Sequence, residues 1–150
     1  MLVIELFFVF IATVAFGILF NVPKQVLWIG GFIGANSWLV FSLLPIYGAS
    51  PIVATAAASL ASAAISHLLA KYYKVPVTTF SIPGIIPLVP GSRAYFTMLA
   101  FVEGDYLLGL ELGIETMLQA GAIAAGLVFA LAVFSFRKGG IGQRYETGRS

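Results

Sequence analysis

Arg93 is the residue whose chemistry most needs a setting. It closes the run Phe80-Ser81-Ile82-Pro83-Gly84-Ile85-Ile86-Pro87-Leu88-Val89-Pro90-Gly91-Ser92-Arg93. Its guanidinium is a permanent cation with a donor fork shaped for a carboxylate. Before it, a Pro-Gly step recurs after seven residues, at Pro83-Gly84 and Pro90-Gly91. Each proline frees a backbone carbonyl, and each glycine permits backbone geometry that other residues resist. Few other groups are available for chemistry. Glu115 and Gln119 stand four apart, the spacing of one helix face. Asn36 and the single histidine, His67, complete the set. Cysteine is absent, so there is no thiolate nucleophile, thiolate metal site or disulfide. There is also no HExxH spacing and no Ser/His/Asp set at one depth, which argues against an enzyme and against a metal or other cofactor.

The elements that position these residues follow from composition. Of 150 residues, 60% are hydrophobic and 9% charged, with a mean hydropathy of +1.02, against roughly 25% charged in soluble domains. A domain of this size leaves about a third of its surface exposed on folding. Its solvent must therefore be lipid. The net charge of +2 is too small and too scattered for nucleic acid. A bilayer core takes about 20 apolar helical residues to cross, and five windows qualify. Residues 2–20 are apolar except for Glu5 and stop at Asn21-Val22-Pro23-Lys24. Residues 26–44 carry no charge. Residues 50–70 open on Ser50-Pro51, an N-cap with proline at the first helical position. Residues 112–136 stop at Arg137-Lys138. Residues 75–102 hold Pro76, Pro83, Pro87, Pro90 and Arg93; as one helix they would reach about 42 Å, and the internal prolines deny them a straight course. The expected fold is an all-α integral membrane bundle of five transmembrane helices with the fourth broken by Pro and Gly, in one transmembrane domain followed by a basic cytoplasmic tail, 137–150.

Charge asymmetry favours a fourth span that crosses over one that dips and returns. With the N-terminus outside, Lys24, Lys71, Lys74, Arg137, Lys138, Arg144 and Arg149 all become cytoplasmic, leaving Arg93 alone of the eight basic residues inside a span, as the excess of Lys and Arg in cytoplasmic loops requires. The outer loops then hold Glu103, Asp105 and Glu111. The expected orientation is N-out and C-in. The first span lacks a basic leader region and a convincing small-x-small cleavage site, so it reads as an uncleaved helix.

Small residues dominate the third span from Ala54 to Ala64, and recur as Gly30-x-x-x-Gly34 and as Gly121, Ala122, Ala125 and Gly126. They let membrane helices approach closely, so packing is their expected role. Asn36, midway along the second span, is expected to hydrogen-bond a neighbouring helix or to touch a ligand. Glu115 is expected either to face headgroups, to balance Arg93, or to accept a proton if transport is proton-coupled; Gln119 is nearer to Arg93 in depth. His67 reads as a snorkelling end residue.

Unwound backbone at membrane depth survives only where protein buries it or where it lines a watery cavity. After Gly91 the chain can restart as a helix with Ser92 as its cap, directing free N–H groups at whatever fills the cavity. The expected binding element is therefore Pro83, Gly84, Pro87, Pro90, Gly91, Ser92 and Arg93, with Asn36 and Gln119 beside it and Glu115 as the proton-coupling candidate. The alternative is that Arg93 snorkels outward or pairs with an acid on the last helix while the prolines only bend the span.

The run Pro83 to Gly91, Arg93-Ala94-Tyr95, and Phe20-Asn21-Val22-Pro23 together resemble the threonine/serine exporter (ThrE-type) family, and more closely its branch of small subunits, such as that of the bacterial succinate exporter. The resemblance covers essentially the whole chain. It implies a multi-pass protein of the bacterial inner membrane that exports small carboxylate metabolites, threonine and serine or dicarboxylates such as succinate. It also implies a larger partner subunit with a soluble N-terminal domain, whose spans would be inverted relative to these. Small-residue faces leave room for a second copy as partner as well. A contrasting function is a non-transporting assembly or regulatory subunit, in which the prolines shape an interface.

Overall fold

The computed structural model describes residues 1–136, all of them in helices, turns and short connections, with no strand. Six helices follow in order: α1 (Leu2–Leu19), α2 (Lys24–Leu43), α3 (Pro51–Tyr73), α4 (Thr78–Ile85), α5 (Gly91–Glu103) and α6 (Tyr106–Phe136). A 3-10 turn over Leu44–Tyr47 extends α2, and another over Ile86–Leu88 extends α4. Four helices are long and apolar enough to cross a bilayer, and the pair Thr78–Leu88 and Gly91–Glu103, inclined at 50°, makes a fifth if taken as one span. The protein is an all-α membrane bundle with a broken fourth span. The basic tail expected to anchor its orientation lies outside the described residues.

Local chemistry sets the helix ends. Asn21, with φ of 55°, turns the chain out of α1 before Pro23 lets α2 begin. The Ser50 hydroxyl accepts from the Val53 N–H at 3.4 Å, and Pro51 occupies the first turn of α3, as the sequence predicts. The last span differs from expectation. α6 begins at Tyr106 rather than near residue 112, because Gly104, with φ of 85°, closes α5 and the Asp105 carboxylate caps the new helix at the Leu108 N–H, 3.1 Å away. At 31 residues, α6 is about 46 Å long, well beyond the roughly 30 Å hydrocarbon core. Glu111, expected in a loop, is helical.

Lipid supplies no hydrophobic drive between helices, so the bundle holds by close packing at small residues. α2 and α3 are its centre. α1 lies on α2, α4 lies across α2 and α3, α6 lies on α3, and α5 packs chiefly on α6. At three crossings a glycine does what no other residue can. A Cβ on Gly34 would come within 2.3 Å of the Thr13 hydroxyl on α1; one on Gly84 would lie 2.6 Å from the Ser62 hydroxyl and 2.7 Å from Ile33; one on Gly126 would lie 2.0 Å from the Ser59 hydroxyl and 2.7 Å from the Ala56 carbonyl. Apolar side chains fill the remainder. Phe80 of α4 is fully buried among Val26, Ile33 and Ala70, while Leu88 packs with Ala58 and Ile123.

The glycines differ sharply in what a methyl would meet. Gly126→Ala pushes against α3 backbone, which cannot yield as a side chain does, so a loss of about 1–3 kcal/mol is expected. Gly121 has open space around it, and Gly121→Ala should gain up to about 1 kcal/mol from reduced backbone freedom. Thermal unfolding of the two variants in detergent micelles should move the midpoint in opposite directions.

Candidate functional site

The broken span is built by its prolines. Pro83 sits inside α4 and is buried; it has no N–H for the Thr79 carbonyl. Helical geometry tightens to the 3-10 turn at Pro87, then Val89 (ψ 127°) and Pro90 (ψ 54°) leave it altogether. α5 restarts at Gly91, with no side-chain cap. Ser92 is therefore not the cap it was expected to be: the restart comes two residues earlier than that reading requires, and Ser92 lies inside the first turn. Gly91 donates to the Val89 carbonyl at 2.8 Å and Ala94 to the Pro90 carbonyl at 3.0 Å, which leaves the Ser92 and Arg93 N–H groups as the free donors of the helix end.

Arg93 stands in that first turn. Its Nη1 donates to Glu115 Oε2 of α6, an ion pair in which the two side chains remain 40% and 46% exposed. Glu115 thus turns to the cation rather than to lipid headgroups, because the tight Gly104-Asp105 turn folds α5 back along α6. One turn further along α6, Gln119 is buried and its Nε2 donates to the Thr55 hydroxyl of α3 at 3.3 Å. Arg93, Glu115 and Gln119, with Pro51 and Ile52 from the start of α3, line an open cavity of about 100 Å³, room for several waters. The cavity carries one cation, one anion and an amide within reach of a small polar solute.

Of the other expected site residues, Gly84 and Pro83 are buried in packing against α2 and α3, and Pro87 and Pro90 shape the break without lining the cavity. Asn36 lies on the exposed side of α2 and does not line the cavity. His67, half-buried, contacts the Ala63 carbonyl at 3.0 Å and stacks on Phe134 with ring centroids 4.8 Å apart. Two polar contacts escaped sequence reasoning: Thr55 to Gln119, and Trp38 Nε1 donating to Glu5 at 3.3 Å. Thr55 was concealed in a run of small residues, although its spacing to Ser59, Ser62 and Ser66 marks one helix face.

A multi-pass helical membrane protein whose broken span presents an arginine to an open cavity is the class that fold and site define. The particular family follows from comparison: the chain belongs to the threonine/serine exporter family, whose model, described as "Threonine/Serine exporter, ThrE", matches residues 5–133. Members of that family are transporters rather than enzymes. An uncharacterized protein of Haemophilus influenzae is 27% identical over 138 residues, covering 88% of this chain and 46% of that protein. The chain thus spans about half the length of that relative. No solved structure matches it.

The ion pair can be tested by exchange of charge. Arg93→Glu sets two carboxylates together and should lower the thermal midpoint of the purified protein, while the double variant Arg93→Glu/Glu115→Arg should recover most of the loss. A cycle of the four proteins isolates the coupling between the two sites.

Proposed function

We propose that this chain is one half of an exporter of small zwitterionic metabolites, threonine and serine first among them, and that the solute binds at the Arg93, Glu115 and Gln119 cavity. The observation that carries this reading is the pairing of opposite charges beside free helix N–H groups. An arginine fork and two backbone donors suit a carboxylate, and Glu115 suits an ammonium. A dicarboxylate such as succinate would find its second carboxylate opposed by Glu115, so amino acids fit this cavity better. Broken helices that aim their N-terminal ends at a substrate carboxylate are a recurrent transporter device.

The protein works in the bacterial inner membrane with its N-terminus outside and C-terminus inside, the orientation that gathers its basic residues on the cytoplasmic side. Its partner is a second membrane subunit or the remaining half of a longer chain, a reading supported by the half-length match to its relative. The α5 and α6 pair also exposes Tyr95, Met98, Val102, Leu107 and Met117, a surface suited to lipid or to a partner's helices.

Arg93→Gln should cut threonine efflux from loaded membrane vesicles at least about tenfold, since an intramembrane arginine is costly to retain without a task. The level of inserted protein and its recovery with its partner should stay unchanged. Succinate efflux, measured in parallel, should be slow in the wild type. Undiminished threonine efflux would remove Arg93 from the site. A second reading rests on the ion pair itself, which also suits a structural clamp in a non-transporting assembly subunit; there Arg93→Gln would lower complex recovery in detergent pull-down rather than turnover.

A further inference from the structure

We propose that one face of α3, formed by Thr55, Ser59, Ser62 and Ser66, is the polar lining of the solute path through this subunit, shut in the present conformation by α4 and α6. The proposal deepens the exporter reading, on which it rests. The four residues are spaced four, three and four apart, so they form a single row about 16 Å long, roughly half the hydrocarbon thickness. All four are fully buried. The row begins at the binding cavity, because Gln119 lines that cavity and donates to Thr55.

Two members of the row have hydroxyls in an unusual state. Buried helical hydroxyls ordinarily donate to the carbonyl one turn back, and Thr13, Ser37 and Thr55 do so at 2.8 Å. Ser59 donates to the Ala56 carbonyl at 2.9 Å. Ser62 and Ser66 are equally buried, and their hydroxyls have no partner among the described residues. An unpartnered hydroxyl away from water is unfavourable, and the penalty is lifted in any conformation that admits water or a polar solute to the row.

The contacts that shut the row are of a separable kind. Ser62 is met by Gly84 and Ser59 by Gly126, each so closely that a single methyl would not fit. α4, which carries Gly84, is only eight residues long, contains Pro83, and is followed by the break at Val89 and Pro90. Movement of the Gly84 end of this short segment away from α3 opens the row at Ser62 without breaking a long helix. Solutes with carboxylate, ammonium and hydroxyl groups, which require both donors and acceptors, fit a lane of hydroxyls.

The natural absence of cysteine makes the test direct. Ser62→Cys and Ser66→Cys are introduced singly and treated, in membranes of expressing cells, with a water-soluble trimethylammonium methanethiosulfonate. Controls are Thr13→Cys, buried at the crossing of α1 and α2 against Gly34, and Leu68→Cys, 59% exposed on the outer surface. The row thiols should react about tenfold faster than either control, because the reactive thiolate forms only where water enters, and added threonine should change their rate. Labelling at Ser62 and Ser66 no faster than at Thr13 overturns the proposal. This readout needs no substrate, so rapid labelling without any effect of threonine would leave the path standing and refute threonine as its cargo. Should the cysteine variants fail to accumulate, the double variant Ser62→Ala/Ser66→Ala provides the decision. Efflux reduced several-fold at unchanged protein level supports the path, whereas unchanged efflux with a raised thermal midpoint, as expected when orphaned hydroxyls are simply deleted, refutes it.

Discussion

Hydrocarbon cannot hydrogen-bond, and this one constraint accounts for most of what the molecule does with its backbone. Every amide crossing lipid must find a partner within the protein, so long uninterrupted helices are the default and any interruption needs shelter. The interruption here runs from Pro83 to Gly91 and is sheltered by α2 and α3 on the α4 side. Only at its far end, where α5 restarts, do backbone donors remain free, and there the chain sets Arg93 beside an open cavity. The same unsatisfied donors that would be a defect against lipid have the chemistry that suits an anion.

Shelter in turn depends on how closely helices can approach. With no hydrophobic gain between helices in lipid, contact at short range supplies the cohesion, and Gly34, Gly84 and Gly126 bring three different helix pairs nearly backbone to backbone. Phe80 shows the complementary device, one large side chain filling the space between α2, α3 and α4. The two devices differ in what they permit. A glycine contact opposite a serine is smooth and shallow, while a buried phenylalanine is a key in a lock. α4 carries both, Phe80 toward its beginning and Gly84 toward its end, which leaves its Gly84 end the freer to move.

The ion pair between Arg93 and Glu115 ties the last two helices at the cavity rim. Both side chains are partly open, so neither charge is fully desolvated, and each retains capacity for a further partner. A fully enclosed pair would be a structural clamp alone; an open pair beside free amides can exchange its internal contact for contacts to a solute bearing both charges.

Much of this was readable in the chain before any fold. Hydropathy and the positions of Lys, Arg, Pro and Gly marked the spans because lipid imposes a composition on whatever crosses it, and Ser50-Pro51 marked the start of α3 through purely local capping chemistry. The proline run declared a break for the same local reason. What remained undecided was everything that depends on rotation about a helix axis and on which helices touch. Sequence left Glu115 open between headgroups, a proton-coupling role and Arg93; the hairpin of α5 and α6 turned it to Arg93. Sequence put Asn36 in mid-span, but the packing of α2 left it on the outer side, and Thr55 gained a partner 64 residues away that no periodicity could name. Element type is set by neighbours a few residues apart along the chain, whereas a site of opposed charges and hydroxyls exists only once separate helices have chosen their faces.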